Sequence, residues 1–211
     1  MTTRIIWDFN GTIINDLPLS REAINKVLAK RSLPVIATDD DYRSKFGFPI
    51  KDYYATLGFD FENEPYKIPA DEWVALYNDG IRSIPLTDGI AETLGMISEL
   101  GIPQMILSAS ERKMLISQIN FYGIGNYFDS ILGCDDVYGG GKIEMAEKWI
   151  TKTGEDLEDA VFIGDTDHDF ETAQALGCKC ILYAGGHMSR EKLEKFGCPV
   201  IGNIREVIEL I

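Results

Sequence analysis

Short apolar runs and longer amphipathic segments alternate along most of the chain. Arg4–Trp7 (RIIW), Gln104–Leu107 (QMIL), Ser130–Gly133 (SILG), Ala160–Ile163 (AVFI) and Cys180–Tyr183 (CILY) are apolar runs bounded by Gly, Pro, Asp or Asn, with a very short sixth at Val200–Ile201. Runs of this length between turn residues predict buried strands. Between them, apolar positions return at helical spacing. Ile90, Leu94 and Ile97 recur at i, i+4 and i+7 behind Asp88, which is suited to an N-cap; Leu115, Ile119 and Tyr122 repeat the pattern, as do Met145 and Trp149. Strands alternating with helices predict an α/β fold, a parallel sheet covered by helices on both faces.

Residues from about Asp16 to Pro85 break this alternation. Leu17–Lys30 groups Ala23, Ile24, Val27 and Leu28, and Asp71–Ile84 groups Trp73, Val74, Tyr77 and Ile81. Gly47, Pro49, Gly58, Pro65 and Pro69 punctuate the middle, and no convincing strand occurs. The pattern predicts a helical insertion directly after the first strand, with linkers near Asn15–Leu17 and Ser83–Asp88. The expected division is a core of residues 1–15 and 86–211 and an inserted helical domain of residues 16–85.

Composition narrows the picture. A chain of 211 residues with 45% hydrophobic content is long and apolar enough for one to two packed domains. The 34 acidic against 20 basic residues give a net charge of −14, which argues against non-specific binding to nucleic acid or to anionic membranes. An anionic substrate is still possible, because a lysine or bound cation can reverse the sign locally. No run of about 18 apolar residues predicts a membrane span, and Asp8 interrupts the N-terminal apolar run too early for a signal core. Cys134, Cys178, Cys180 and Cys198 form no C-x-x-C and have only His187 near them, so they read as free thiols of a cytoplasmic protein rather than a zinc site.

The candidate chemistry lies where strands are expected to end. The first strand runs into Asp8-Phe9-Asn10-Gly11-Thr12, with a glycine that permits a sharp turn and close approach of backbone N–H groups to an anion. The second ends in Ser108-Ala109-Ser110, and the fourth in Gly164-Asp165-Thr166-Asp167-His168-Asp169, which opens a helix. Lys142 follows Gly139 to Gly141 at another helix start. Each has a plain alternative: an Asn-Gly turn, an N-capping serine, a solvated lysine, and acids favoured by a helix dipole. Together they set a nucleophile-grade carboxylate, a hydroxyl, a cation and a metal-suited carboxylate pair along one sheet edge.

In these motifs, and in the segments PLTDGIAETL, YFDSILGCDDV and FIGDTDHDFETAQALG, the chain resembles the haloacid dehalogenase superfamily. Within it, the chain is most similar to phosphoglycolate phosphatase-like hydrolases with a helical cap. The resemblance implies a Rossmann-like core and phosphomonoester hydrolysis through an aspartyl-phosphate on Asp8. It implies Mg²⁺ held by Asp8, Asp165 and the backbone carbonyl of Asn10. The phosphate would be cradled by Ser108 and by N–H groups near Phe9, Gly11 and Ala109. Lys142 would offset charge, positioned by Asp169, with Thr12 in support. The implied partner is a small phosphorylated metabolite.

One position departs from that pattern. The residue two after the nucleophile is usually an aspartate that protonates the leaving group and activates water; here it is Asn10, whose amide cannot shuttle a proton. Four readings follow: a slow or leaving-group-dependent phosphatase, a hydrolase with another proton donor, a phosphate-binding regulatory protein, or carbon–phosphorus or carbon–halogen chemistry. The phosphonate branch uses a cap lysine, for which Lys26 and Lys30 are the nearest candidates. Ile143 replaces a proline frequent after the lysine, which leaves the charge of Lys142 unaffected. In the insertion, Arg43, Lys45 and Lys51 surround Gly47-Phe48-Pro49 and are expected to present positive charge to the pocket, or else to solvent.

Overall fold

A computed structural model describes residues 2–134 and 141–211. Six parallel strands, β1 (Ile5–Trp7), β2 (Gln104–Glu111), β3 (Ser130–Cys134), β4 (Val161–Gly164), β5 (Lys179–Tyr183) and β6 (Val200–Ile201), form one sheet in the order β3-β2-β1-β4-β5-β6. Strand order reverses between β1 and β4, and the crevice outside the carboxyl ends of strands at such a point is where open α/β sheets bind ligands.

The short β1 is central, and its side chains are needed on both faces. Ile5 and Trp7 point to one side with Ile106, Ile163 and Ile181, where Ile90, Leu94 and Ile97 of α5 (Ile90–Glu99) and Leu115 and Ile119 of α6 (Arg112–Tyr122) cover them. Ile6 points to the other with Met105, Leu107 and Phe162, against Ala146 of α7 (Lys142–Thr153) and Ala173 of α8 (Asp167–Leu176). Each fully buried side chain of this size contributes about 1.5–3 kcal/mol. The indole N–H of Trp7 donates to Gln104 Oε1 at 3.0 Å, so even this polar atom is satisfied within the core.

Several boundaries move from their expected places. Arg4 lies outside β1, and its guanidinium is bidentate to Glu155 at 2.8 and 3.0 Å, with Nη1 also reaching Asp129 at 2.8 Å. Strand β2 continues past Leu107 to Glu111, with a register shift against β3 between those residues. The cap of α5 is Gly89 at φ +81°, not Asp88, whose carboxylate pairs instead with Arg205. Gly139 and Gly140, expected ahead of Lys142, lie outside the described residues.

Between β1 and α5 the chain forms α1 (Leu17–Lys30), α2 (Asp39–Lys45), α3 (Ile50–Thr56) and α4 (Lys67–Gly80), the last starting four residues before the expected helix. These helices enclose an apolar cluster of their own, including Ile24, Leu28, Tyr42, Tyr53 and Tyr54. Another α-helix, α9 (Arg190–Leu193), is a single turn. The thiols of Cys178, Cys180 and Cys198 are free, and among the described residues no helix is long and apolar enough to cross a membrane.

Candidate active site

Asp8 follows β1, Asp165 follows β4, and Asp169 lies in the first turn of α8; all three are buried, with carboxylate oxygens within 4.8 Å of one another. Lys142, at the start of α7 and only 4% exposed, enters this cluster. Its Nζ donates to Asp8 Oδ1 at 2.6 Å and to Asp169 Oδ1 at 2.5 Å. Asp169 Oδ2 takes the N–H groups of Asp165 and Thr166, both at 3.0 Å, and the Thr166 hydroxyl at 2.8 Å. Asp169 therefore fixes the lysine, and its remaining bonds fix the start of α8.

The charges do not balance. Burial would raise the Asp169 pKa, but Lys142 outweighs it and holds the carboxyl below its ordinary value. Burial would lower the Lys142 pKa, but Asp169 and Asp8 keep it raised. Asp8 is left well above the usual range, first by burial and then by the neighbouring Asp169 and Asp165, with Lys142 only partly opposing. Burial likewise takes Asp165 up to about 6 against the pull of His187. Three buried carboxylates thus face one ammonium, and Asp8 Oδ2 accepts no hydrogen bond among the described residues. This all-oxygen, electron-rich cluster fits a hard divalent cation.

Glycines let the backbone close around it. At Gly11, φ is +73° and a Cβ would lie 2.3 Å from Asp165 Oδ2; at Gly186 it would lie 2.2 Å from the same oxygen. No side chain fits at either place. Thr12 Oγ1 donates to Asp165 Oδ1 at 3.0 Å. Ser108 is buried, and its Oγ accepts the Ser110 N–H at 3.1 Å. The Phe9 side chain is fully buried in the core, which leaves only its backbone for a ligand. One expectation is corrected here: the Gly11 N–H is already bonded to Asp16 Oδ1 at 2.7 Å and is not open to phosphate.

Asn10 is fully engaged. Its Nδ2 donates to Asp16 Oδ2 at 3.1 Å and to the Tyr77 hydroxyl at 2.8 Å, and its Oδ1 accepts from Ser110 Oγ at 2.7 Å. Asp16 also accepts from Tyr77 at 2.7 Å and faces His187 Nε2 at 3.0 Å. Burial would raise the Asp16 carboxyl, but His187 and these donors hold it low. Burial would lower the His187 pKa, but Asp16 takes it up to about 9. His187 also donates its backbone N–H to Asp165 Oδ2 at 2.6 Å, tying this pair to the acidic cluster. Sequence reading missed Asp16, Tyr77 and His187, and named Ser110 only as part of the Ser108-Ala109-Ser110 strand end. Only the Gly185-Gly186-His187 turn after β5, another strand end on the same edge, carried a local signal.

Asp8, Lys142 and Asp165 form the floor of a cavity of about 390 Å³ roofed by the insertion. Phe48 does reach it, 5.2 Å from the His168 ring. The three insertion cations do not line it. Arg43 donates to the carbonyls of Gly186 and Gly185 at 2.9 and 3.1 Å, latching the insertion to the core. Lys45 pairs with Asp41, and Lys51 lies 5.7 Å over the Phe61 ring. Acidic neighbours, backbone carbonyls and an aromatic face outside the pocket draw these charges away. Lys26 and Lys30 pair with Glu22 and Glu72 on the surface.

Comparison with known proteins agrees with this arrangement. The profile of a family described as haloacid dehalogenase-like hydrolase matches residues 5–183. A phosphoglycolate phosphatase from Yersinia pseudotuberculosis is 30% identical, over 84% of this chain and 78% of that protein. One from Rhodobacter capsulatus is 24% identical, over 89% and 86%. A haloacid dehalogenase-like family hydrolase from Streptococcus pneumoniae superposes with a TM-score of 0.85 at 19% identity, covering 99% of this chain and 98% of that one.

Proposed function

Since the chain belongs to the haloacid dehalogenase-like hydrolases, we propose that it is a magnesium-dependent phosphatase of small phosphorylated metabolites, with Asp8 as nucleophile. The observation that carries this reading is the buried Asp8–Lys142–Asp169 chain of hydrogen bonds beside Asp165 at the strand-order reversal. The curated relatives named phosphoglycolate phosphatase support the same class.

Magnesium would be held by the carboxylates of Asp8 and Asp165 and the backbone carbonyl of Asn10, and when bound it supplies positive charge to the phosphoryl oxygens. Asp8 attacks phosphorus, so that a bond from its carboxylate oxygen forms as the bond to the leaving oxygen breaks. Lys142 partly offsets the cost of ionising the buried Asp8 and meets charge developing on the phosphoryl group. Ser108 and the backbone near Phe9 and Ala109 orient the phosphate. Water then cleaves the aspartyl-phosphate. The insertion of residues 16–85 acts as a cap that limits solvent access.

Proton transfer is the weak step. Asn10 cannot give or take a proton, and Asp16, held by four donors and low in pKa, does not replace it. General acid–base catalysis is commonly worth about 10²–10⁴-fold, so turnover is slow wherever the leaving group needs a proton. The outward pairing of Lys26 and Lys30 gives no support to a Schiff-base lysine. The free thiols of Cys178, Cys180 and Cys198 suit a reducing cytoplasm. The test is a panel of phosphorylated metabolites with and without Mg²⁺, using the parent and Asp8→Asn. Magnesium-dependent release of phosphate by the parent alone is expected; equal activity in Asp8→Asn would overturn the reading.

A further inference from the structure

The wall of the cavity differs in chemistry from its floor. Tyr42, Phe46, Tyr53, Tyr54, Trp73 and Tyr77 line it. Their rings hold one another in place: Tyr42 stacks on Phe46 at 5.4 Å, Phe46 meets Tyr53 edge-on at 5.3 Å, and Trp73 stacks on Tyr77 at 4.9 Å. Among the described residues no arginine lines the cavity, and its only lysine, Lys142, is committed to Asp8 and Asp169. Glu111, which also lines it, adds negative charge. The His187 ring, which also lines it, is committed to Asp16 at 3.0 Å and to the Tyr42 hydroxyl at 3.2 Å, so a carboxylate on the substrate would meet only side-chain cations that are already paired, whereas a neutral aromatic ring would meet aromatic faces.

Size and polarity agree. An apolar cavity of about 150 Å³ is enough to hold benzene, so about 390 Å³ leaves room for a phosphoryl group and a ring. The Tyr53 hydroxyl is buried in this wall and has no hydrogen-bond partner among the described residues. Such an atom is unfavourable unless something entering the cavity bonds to it.

The second line of evidence is chemical and independent of the wall. Asn10 has no proton to give, and both ring nitrogens of His187 are engaged by Asp16 and the Tyr42 hydroxyl, so a leaving oxygen that can depart as an anion is favoured. A phenol, with a pKa near that of tyrosine at about 10, does this far more readily than an alcohol, whose oxygen resembles that of water at about 15.7. The aromatic wall and the missing acid therefore select the same molecule.

We propose that the substrate is the phosphate monoester of a phenol, with its ring seated against Tyr42, Phe46 and Trp73 and its phosphoryl group on Asp8. The proposal rests on the phosphatase reading above and names its substrate class. As the bond from Asp8 to phosphorus forms, the bond to the aryl oxygen breaks, and the electron pair leaves on a phenolate that takes its proton from solvent. Water then returns Asp8 and releases inorganic phosphate.

The test separates ring recognition from turnover. Phenylphosphonate and methylphosphonate, neither of which can be hydrolysed at this bond, are titrated against the full-length protein with Mg²⁺ by calorimetry. Phenyl phosphate and phosphoglycolate are assayed in parallel. Burial of the ring is expected to make phenylphosphonate bind about 10- to 100-fold more tightly. Trp73→Leu should shrink that ratio, and phenyl phosphate should exceed phosphoglycolate in kcat/KM by at least about 10²-fold. Equal affinity for the two phosphonates, or faster turnover of phosphoglycolate, would overturn the proposal. Preference for phenylphosphonate with no ester hydrolysed would support the ring site and overturn the phosphatase reading instead.

Discussion

Asn10 Nδ2 lies 3.1 Å from Asp16 Oδ2, so an amide donor faces a buried carboxylate that also accepts from Gly11 and Tyr77 and pairs with His187. The amide is not a passive replacement. An aspartate at position 10 would set two carboxylates against each other, and one would have to take up a proton.

Asn10→Asp alone is therefore expected to lower the Tm. It should raise phosphoglycolate turnover less than Asn10→Asp combined with Asp16→Asn. In the double variant a donor again faces the carboxylate, and the amide oxygen introduced by Asp16→Asn can still accept from Gly11 and His187. The double variant should gain up to about 10²–10⁴-fold in kcat/KM on phosphoglycolate and little in kcat/KM on p-nitrophenyl phosphate, for which kcat alone should rise as the aspartyl-phosphate is hydrolysed faster. Melts and steady-state kinetics check this, with intact mass on each sample because Asn10-Gly11 is prone to deamidation. A single variant as stable as the parent and as active as the double would contradict the opposition of the two sites.

Magnesium should stabilise the folded protein by mass action, by about 2.7 kcal/mol at 100 times Kd. For a domain of this size that is a rise of roughly 5–11 °C in Tm. Asp165→Ala should abolish most of the rise. Asp167→Ala should leave most of it, because Asp167 is only part-buried, accepts the His168 N–H at 2.9 Å and stands outside the carboxylate cluster. Thermal melts across a magnesium titration, with EDTA as reference, measure both.

The Asp16–His187 pair gives a pH signature. The folded-state pKa of His187, about 9, lies above its ordinary value of about 6.5. Stability from such a group is complete below about 6.5 and is lost as pH rises through about 9. The Tm of the metal-free parent should fall across this window, and that of Asp16→Asn should fall less. Parallel curves would show that the pair contributes nothing.

The parts that the sequence revealed and those it concealed differ in physical origin. The strands were legible because Ile5, Ile6 and Trp7, like Val161–Ile163, are buried on both sheet faces and must be apolar throughout. Asp8, Lys142, Asp165 and Asp169 were legible because each stands at a strand end or helix start, where few residue types have a reason to recur. The pairing of His187 with Asp16 was not, because 171 positions separate them and only the Gly185-Gly186 turn marks one of the two. The charges of Arg43, Lys45 and Lys51 were visible, but not the carbonyls, carboxylate and ring that divert them. The aromatic wall was hidden for a related reason: Tyr42 lies in α2 and Tyr53 and Tyr54 in α3, where buried aromatics also serve as ordinary helical core, and only the structure shows a cavity beside them.

The central claim is that Asp8 forms a phosphoryl intermediate in a site whose proton transfer is impaired. Because the missing aspartate would also have activated the hydrolytic water, that intermediate should outlast the departure of a good leaving group. The protein is mixed with p-nitrophenyl phosphate and Mg²⁺, quenched in acid within the first turnover and again at steady state, and its peptides are weighed. The expected result is a burst of p-nitrophenol and the mass of one phosphoryl group on the peptide carrying Asp8, absent in Asp8→Asn and short-lived in the Asn10→Asp, Asp16→Asn double variant. Phosphate release without a burst and with no phosphorylated Asp8 at either time, or the same mass on another residue in Asp8→Asn, would contradict the account.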